Sequence, residues 1–199
     1  MESQEISNEK LKQNIEPNVY EYPTVVERYY IKKYKTAVKG QNGNDFCILC
    51  HSNKLCLVTL APSHSILREK KNVQSVSFQV DKKRNRLESQ ASGKNKRNAQ
   101  FVSETGVVCL VTCTDGSVYT IYSCVKGRLV EVNTRLLDNP SLLVSKPWSE
   151  GYVAIILPKL QEYSSQMGAL LSPEDYQLHI DTLQMQNNVE KEIPETTDD

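Results

Sequence analysis

The sequence has no run of about 18 consecutive apolar residues, which a membrane-spanning helix requires, so we expect no membrane partner. Its first residues, Met-Glu-Ser-Gln-Glu-Ile, lack the basic and apolar regions of a signal peptide. It also lacks a phosphate-binding loop, since neither Gly40 nor Gly43 precedes a lysine-serine pair that opens a helix. These absences favour a protein of the cytoplasm or nucleus whose six cysteines are reduced.

Candidate catalytic and metal-binding residues are few. The three histidines, His51, His64 and His179, are not arranged with a carboxylate and a nucleophile in any recognisable pattern. The sequence from Cys47 to Cys50, followed by His51, suggests zinc or redox chemistry, but no second cysteine pair of matching spacing exists. On a strand, the two cysteines would also point to opposite faces. We therefore predict core cysteines, no metal, no cofactor and no enzymatic activity, with a metal-dependent enzyme as the least favoured alternative.

Charge is balanced over the 199 residues but unevenly placed. Residues 27–97 carry a net charge of +11, whereas residues 160–199 carry −8. Two basic loops hold seven of the sixteen cations in residues 27–97: Lys82, Lys83, Arg84 and Arg86 in the first, and Lys94, Lys96 and Arg97 in the second. These loops are the candidate partner-binding residues, and ordinary solvated loops are the alternative. No aromatic residues alternate with the cations, so we expect nucleic-acid binding to be at most weak, non-specific and dependent on salt.

The apolar patterns predict a mainly β domain with short peripheral helices and a C-terminal helix. A hairpin is expected over residues 45–60, and a half-buried strand over residues 73–80, where apolar and polar residues alternate. Thr24 is placed to cap a short helix, and Ser172-Pro-Glu-Asp175 has the residue types of a helix start. The predicted organisation is an acidic disordered lead (1–22), a β domain (23–160), a helical extension (161–186) and an acidic disordered tail (187–199).

One stretch carries a family resemblance. It runs from Ile121 through Val125-Lys-Gly-Arg-Leu-Val-Glu-Val-Asn133, then Asp138-Asn-Pro140, then Gly151 to Pro158. Apolar residues surround Gly127, which indicates a strand that bends at this glycine, and a buried strand is expected over residues 152–157. Over residues 117–159 this order resembles the lipoyl-carrying H protein of the glycine cleavage system. The resemblance implies a barrel-sandwich hybrid, the small β domain of lipoyl and biotinyl carriers.

The same resemblance places the lipoyl attachment site at a residue without an amine. In the H protein, the lipoylated lysine sits five residues before the isoleucine that corresponds to Ile121. Here that position is Gly116, inside the turn Thr114-Asp-Gly-Ser117, whose residue types suit a hairpin. We therefore expect a carrier fold that has lost its carrier function.

A second resemblance covers about residues 24–178. The motifs include Val26-Glu-Arg-Tyr-Tyr30, His51-Ser-Asn53, the loop Ser92-Gly-Lys-Asn-Lys-Arg97, and Tyr152-Val-Ala-Ile-Ile-Leu-Pro-Lys159. Together with Cys124 to Asn133, they resemble the small eukaryotic Simiate family, also called Abitram or actin-binding transcription modulators.

The Simiate resemblance implies a function that composition alone does not. It implies a non-catalytic protein that binds globular and filamentous actin and modulates actin polymerisation and cell projections. It also implies a pool in nuclear speckles, linked to transcription, beside the cytoplasmic one. Self-association is left open. The alternative hypothesis is a degenerate lipoyl-carrier-like adaptor that docks enzymes of the lipoyl pathway.

Overall fold

The structure is a computed structural model that describes residues 24–89, 91–93, 96 and 98–192, with side chains described as far as residue 185. The predicted acidic lead of residues 1–22 lies outside this part of the chain. The described strands are β1 Tyr30–Lys35, β2 Phe46–His51, β3 Cys56–Leu60, β4 Val73–Ser77, β5 Gln79–Asp81, β6 Arg84–Asn85, β7 Phe101–Val102, β8 Val107–Cys113, β9 Val118–Tyr122, β10 Gly127–Val132 and β11 Ala154–Leu157. The described helices are α1 Val25–Tyr29, α2 Ser65–Arg68, α3 Arg135–Asp138, α4 Leu142–Ser145, α5 Leu160–Gly168 and α6 Pro173–Glu192.

The strands form two main antiparallel sheets and a small hairpin. The larger sheet has the order β1-β2-β3-β11-β10-β7, the second has the order β4-β8-β9, and β5 pairs with β6. Both main sheets contribute to one apolar core, which includes Phe46, Ile48, Val111, Ile121 and Ile156. Among the described helices, none is both long and apolar enough to span a bilayer.

Strand β2 is apolar on both of its faces. Phe46, Ile48 and Cys50 point into the main core, whereas Cys47 and Leu49 point to a second cluster on the outer side of the sheet. Successive strand residues face opposite ways, so the predicted separation of Cys47 from Cys50 is confirmed. A strand of this kind needs a covering layer on each side. The outer layer comes from the two ends of the described chain.

Helix α6 supplies most of that outer layer. The predicted cap is present, because Ser172 Oγ accepts a hydrogen bond of 3.0 Å from the backbone N–H of Asp175. The ring of Tyr176 stacks on that of Tyr34, with centroids 4.0 Å apart and planes only 7° from parallel. The Tyr176 hydroxyl accepts a 3.1 Å hydrogen bond from the backbone N–H of Ser63. The helix is therefore fixed to the sheet by packing and by a buried polar contact.

Two predicted boundaries are wrong. Helix α6 continues to Glu192, so the tail predicted to start at residue 187 begins inside the helix. The strand expected over residues 73–80 is interrupted, because β4 ends at Ser77 to pair with β8 and β5 starts at Gln79 to pair with β6. Val76 and Phe78 are buried as the alternation predicted. The change of partner strand was not visible in that pattern.

The bend predicted at Gly127 lies elsewhere. Strand β9 ends at Tyr122 and β10 begins at Gly127, and the two strands belong to different sheets. The corner is made by residues 123–126, where Cys124 has a φ of 58°. Gly127 has another role, since a Cβ at this position would lie 2.5 Å from the carbonyl oxygen of Leu157 on β11. Glycine is needed there because β10 and β11 approach each other closely.

The Gly127→Ala variant tests this close approach. We expect it to lower the free energy of unfolding by about 1–3 kcal/mol, because the methyl group forces the backbones of β10 and β11 apart. Urea denaturation measures the change. The matched control is Gly168→Ala in α5, where a Cβ would meet no atom within 4 Å. The control should be neutral or stabilising, and equal stability of both variants would contradict the packing described here.

Candidate partner-binding surface

The first basic loop is the turn between β5 and β6, and Asp81 organises it. Its Oδ1 accepts hydrogen bonds from the backbone N–H groups of Lys83 (2.8 Å) and Arg84 (2.9 Å). Its Oδ2 lies 2.6 Å from Nε of Arg84. The N–H of Lys83, and then the Arg84 guanidinium, hold the pKa of Asp81 below its usual value. The turn thereby presents Lys82 and Lys83 to solvent at its tip.

Arg86 does not belong to this exposed surface, which corrects the sequence prediction. The residue is 5% exposed. Its Nε donates to the carbonyl oxygen of Val107 at 2.9 Å, and its Nη1 donates to Oε1 of Gln100 at 2.8 Å. Burial lowers the pKa of the guanidinium. Arg86 was misassigned because it stands in a charge run, whereas both of its partners lie far away in the chain.

Gln100 connects the two basic loops. Its side-chain nitrogen donates to the carbonyl oxygen of Asn85 at 2.6 Å, at the end of the first loop. Its backbone N–H donates to Oγ of Ser89 at 3.0 Å, and its carbonyl oxygen accepts from the N–H of Leu129 at 2.7 Å. The hairpin β5–β6 and the segment before β7 are therefore held at one end of the barrel.

The second basic loop lies only partly within the described chain. Lys94 and Arg97 are outside the described residues, whereas Lys96 is described and half-buried. The carbonyl oxygen of Lys96 accepts a 3.2 Å hydrogen bond from Nη1 of Arg128, which is exposed on β10. Sequence reasoning missed Arg128 because it stands alone between apolar strand residues. We define the basic end as the described cations Lys82, Lys83, Arg84, Lys96 and Arg128.

The hairpin β8–β9 carries the position that the H-protein resemblance assigned to lipoate. Gly116 is exposed at the tip with a φ of 81°, and a Cβ there would meet no atom within 4 Å. The nearby amine belongs to Lys71, whose Nζ lies 2.7 Å from Asp115 and 3.2 Å from Glu69. These carboxylates, Asp115 first, raise the pKa of Lys71 and keep its amine protonated. The Lys71 amine is therefore engaged in ion pairs beside the hairpin tip.

The cysteines and two of the histidines are packed against neighbouring side chains. All six cysteines are buried with free thiols. The ring of His51 packs against Tyr30, and His64 is buried between Phe46 and Tyr119. Within the described part of the chain, no three histidine, cysteine, aspartate or glutamate side chains are grouped so that they could hold a metal ion.

Comparisons with known proteins identify relatives of this chain. The chain is 46% identical over 157 residues to Protein Abitram of Xenopus tropicalis, which covers 79% of this chain and 86% of that protein. It is 46% identical over 155 residues to the Homo sapiens protein, covering 78% and 86%, and 31% identical over 156 residues to that of Dictyostelium discoideum, covering 77% and 86%. The chain belongs to the Abitram family.

The chain also matches a second family over part of its length. Residues 102–182 match the family model of the glycine cleavage H-protein. A solved glycine cleavage system H protein from Mycobacterium marinum is similar at a TM-score of 0.49 and 19% identity, covering 72% of this chain and 92% of that one. The predicted mainly β domain is confirmed by the described strands, and the glycine cleavage H-protein model matches its second half.

Lipoylation of the hairpin tip can be tested directly. Co-expressed with a lipoate ligase, the wild-type chain should keep its unmodified mass, because Gly116 has no amine and Lys71 is ion-paired. The Gly116→Lys variant should gain one lipoyl group, since it places an amine at a tip where a Cβ meets no atom within 4 Å, despite the strain of a φ of 81°. Intact-mass spectrometry measures both. An adduct on any lysine of the wild-type chain would contradict the loss of carrier chemistry.

Proposed function

We propose that this chain is a non-catalytic actin-binding protein whose basic end contacts the acidic surface of actin. The observation that carries the proposal is the pair Lys82 and Lys83, exposed at a turn that Asp81 fixes in place. The carboxylate of Asp81 already forms an ion pair with the guanidinium of Arg84. Neither lysine forms an ion pair with a residue that the structure describes, so both charges are available to an acidic partner.

The rigidity of the basic end supports this proposal further. Binding costs less entropy when the contacting loops are already ordered. Here Gln100 ties the first loop to the strand beside Arg128 through backbone and side-chain hydrogen bonds. Several cations on one fixed surface also attract an acidic protein at long range, and salt screens this attraction. The binding should therefore weaken as ionic strength rises.

The wider role is proposed from the family resemblance. We propose that binding to globular and filamentous actin modulates polymerisation and cell projections. A nuclear pool in speckles, with a role linked to transcription, accompanies the cytoplasmic one. A membrane is not among the proposed partners, and nucleic acid is expected to bind only weakly.

A second candidate function is a degenerate lipoyl-carrier-like adaptor. The specific observation in its favour is the H-protein match over residues 102–182, which includes the β8–β9 hairpin. An adaptor of this kind would dock enzymes of the lipoyl pathway through the retained barrel without carrying lipoate. Capture of such an enzyme in the absence of a lipoyl adduct would support it over actin binding.

Co-sedimentation with actin filaments tests the proposed function. The Lys82→Glu/Lys83→Glu variant should bind at least about tenfold more weakly than wild type, a loss of about 1.4 kcal/mol, because it reverses both exposed charges. Arg86 is left unchanged in this variant, since it is buried and its loss would disturb the fold.

The control carries the same change of charge elsewhere. Lys39 and Lys70 are exposed on other loops, and Lys39→Glu/Lys70→Glu should bind as wild type does. Equal weakening of both variants would show a net-charge effect and remove the assignment to the basic end. A wild-type chain that does not sediment with filaments would remove actin binding altogether.

A further inference from the structure

Cys50 and Cys56 face each other across the hairpin β2–β3. They are direct partners in the antiparallel register. The next pair along, His51 and Leu55, is joined by a 2.9 Å hydrogen bond from N–H to carbonyl oxygen. Because hydrogen-bonded and non-hydrogen-bonded pairs alternate, Cys50 and Cys56 form a non-hydrogen-bonded pair. The Cα atoms of such pairs lie about 4.5 Å apart, at the short end of the range that a disulfide spans.

The two side chains share one face of the sheet. Both belong to the main core, whereas Cys47 belongs to the outer cluster. The thiol of Cys56 donates to the carbonyl oxygen of Lys54, with Sγ and O 3.8 Å apart. Sγ of Cys50 also lies 3.2 Å from Sδ of Met167 on α5. The hairpin therefore holds two sulfur atoms side by side without any rearrangement of the backbone.

Cys50 lies at the floor of an open cleft. The cleft has a volume of about 470 Å³ and runs between β1 and α5, with Ile31, Tyr163 and Met167 among its apolar walls. At 5% exposure, Cys50 is the most accessible of the six cysteines, and Cys56 behind it is fully buried. A small molecule in the cleft reaches Cys50 first.

The rim of the cleft is basic, and it favours a negatively charged ligand. Arg28, Lys33 and Lys54 line it, and Nζ of Lys54 lies 4.7 Å from the centre of the Tyr163 ring. Glu27 is the only acid along the same lining. Anionic disulfides such as oxidised glutathione match this combination of a basic rim and a sulfur atom at the floor of the cleft.

The surroundings of the pair separate the roles of its two thiols. The neighbouring thiol of Cys56 lowers the pKa of Cys50, the cysteine that lines the cleft. The thiol of Cys50, and then burial, raise the pKa of Cys56. Burial raises the pKa of Cys47 to about 12, and burial also raises that of Cys109. The thiolate is the attacking species in disulfide exchange, and among these four cysteines Cys50 is the one poised to form it.

We propose that Cys50 and Cys56 are a redox-sensitive pair that forms a cross-strand disulfide by exchange with an anionic low-molecular-weight disulfide. In the first step, the Cys50 thiolate attacks one sulfur of the oxidant, forms a mixed disulfide and releases one thiolate. In the second step, Cys56 attacks Sγ of Cys50 and its proton passes to the departing thiolate, which leaves as the second thiol. The oxidant is reduced to two thiols, and the protein loses two hydrogens.

The disulfide is reversible and has a local consequence. Disulfide exchange runs in both directions, so an excess of a reducing thiol restores the two cysteines. Oxidation removes the thiol hydrogen of Cys50, so its hydrogen bond to Sδ of Met167 on α5 is lost. Oxidation therefore alters one wall of the cleft. This inference concerns a site separate from the basic end and does not depend on actin binding.

Peptide mapping of the folded, full-length chain tests the proposal. The chain is treated with oxidised glutathione, the remaining thiols are blocked, and the mass is measured. Before blocking, we expect a loss of about 2 Da, the mass of the two thiol hydrogens, and after blocking four modified cysteines instead of six. Because Lys54 lies between the two cysteines, trypsin should release residues 40–54 joined to residues 55–68. Fragmentation of this pair should place the bond at Cys50 and not at Cys47.

Single substitutions separate the two steps. Cys56→Ser should stop at a mixed disulfide of Cys50 with one glutathione, whereas Cys50→Ser should give neither product. Cys124→Ser, which changes a buried cysteine away from the pair, should behave as wild type. Circular dichroism confirms that each variant is folded. Six free thiols in the treated wild-type chain, or oxidation at another cysteine or only after unfolding in urea, would overturn the proposal.

Discussion

The burial of β2 on both of its faces is the constraint on which the rest of the structure depends. Residues 46–50 are all apolar, and none of them is more than 5% exposed. Burying one such side chain stabilises the folded state by about 1.5–3 kcal/mol, provided that both sides of the strand are covered. The barrel core covers one side. The other is covered by Tyr34 from β1 and Tyr176 from α6, stacked on each other, which makes the C-terminal helix part of the domain.

This framework leaves the ends of the barrel to differ from those of a carrier protein. At one end, the β8–β9 hairpin keeps its turn while Gly116 occupies the tip, and Lys71 is held by two carboxylates. At the basic end, the buried guanidinium of Arg86 and the side chain of Gln100 fix loops that expose cations. Function in small β domains depends on such sites and not on the fold itself.

Local patterns in the sequence predicted a large part of the fold. The hairpin of residues 45–60 and the cap at Ser172 follow from neighbouring residues and are present. The strand expected over residues 152–157 is present at Ala154–Leu157. The features that were missed depend on distant partners. Arg86 is buried because Gln100 and Val107 accept its hydrogen bonds, and Gly127 is required because Leu157 on another strand comes close. The pairing of Cys50 with Cys56 was within reach of sequence reasoning, since it follows from the register of the predicted hairpin.

Native-state hydrogen exchange of the full chain at increasing urea tests the two-sided burial of β2 most directly. If the outer layer is integral, the amides of β2 and those of α6 around Tyr176 should exchange with the same free energy, equal to that of global unfolding. Exchange in α6 at much lower free energy, with β2 still protected, would contradict the account. It would show that the sheet is stable without its outer layer.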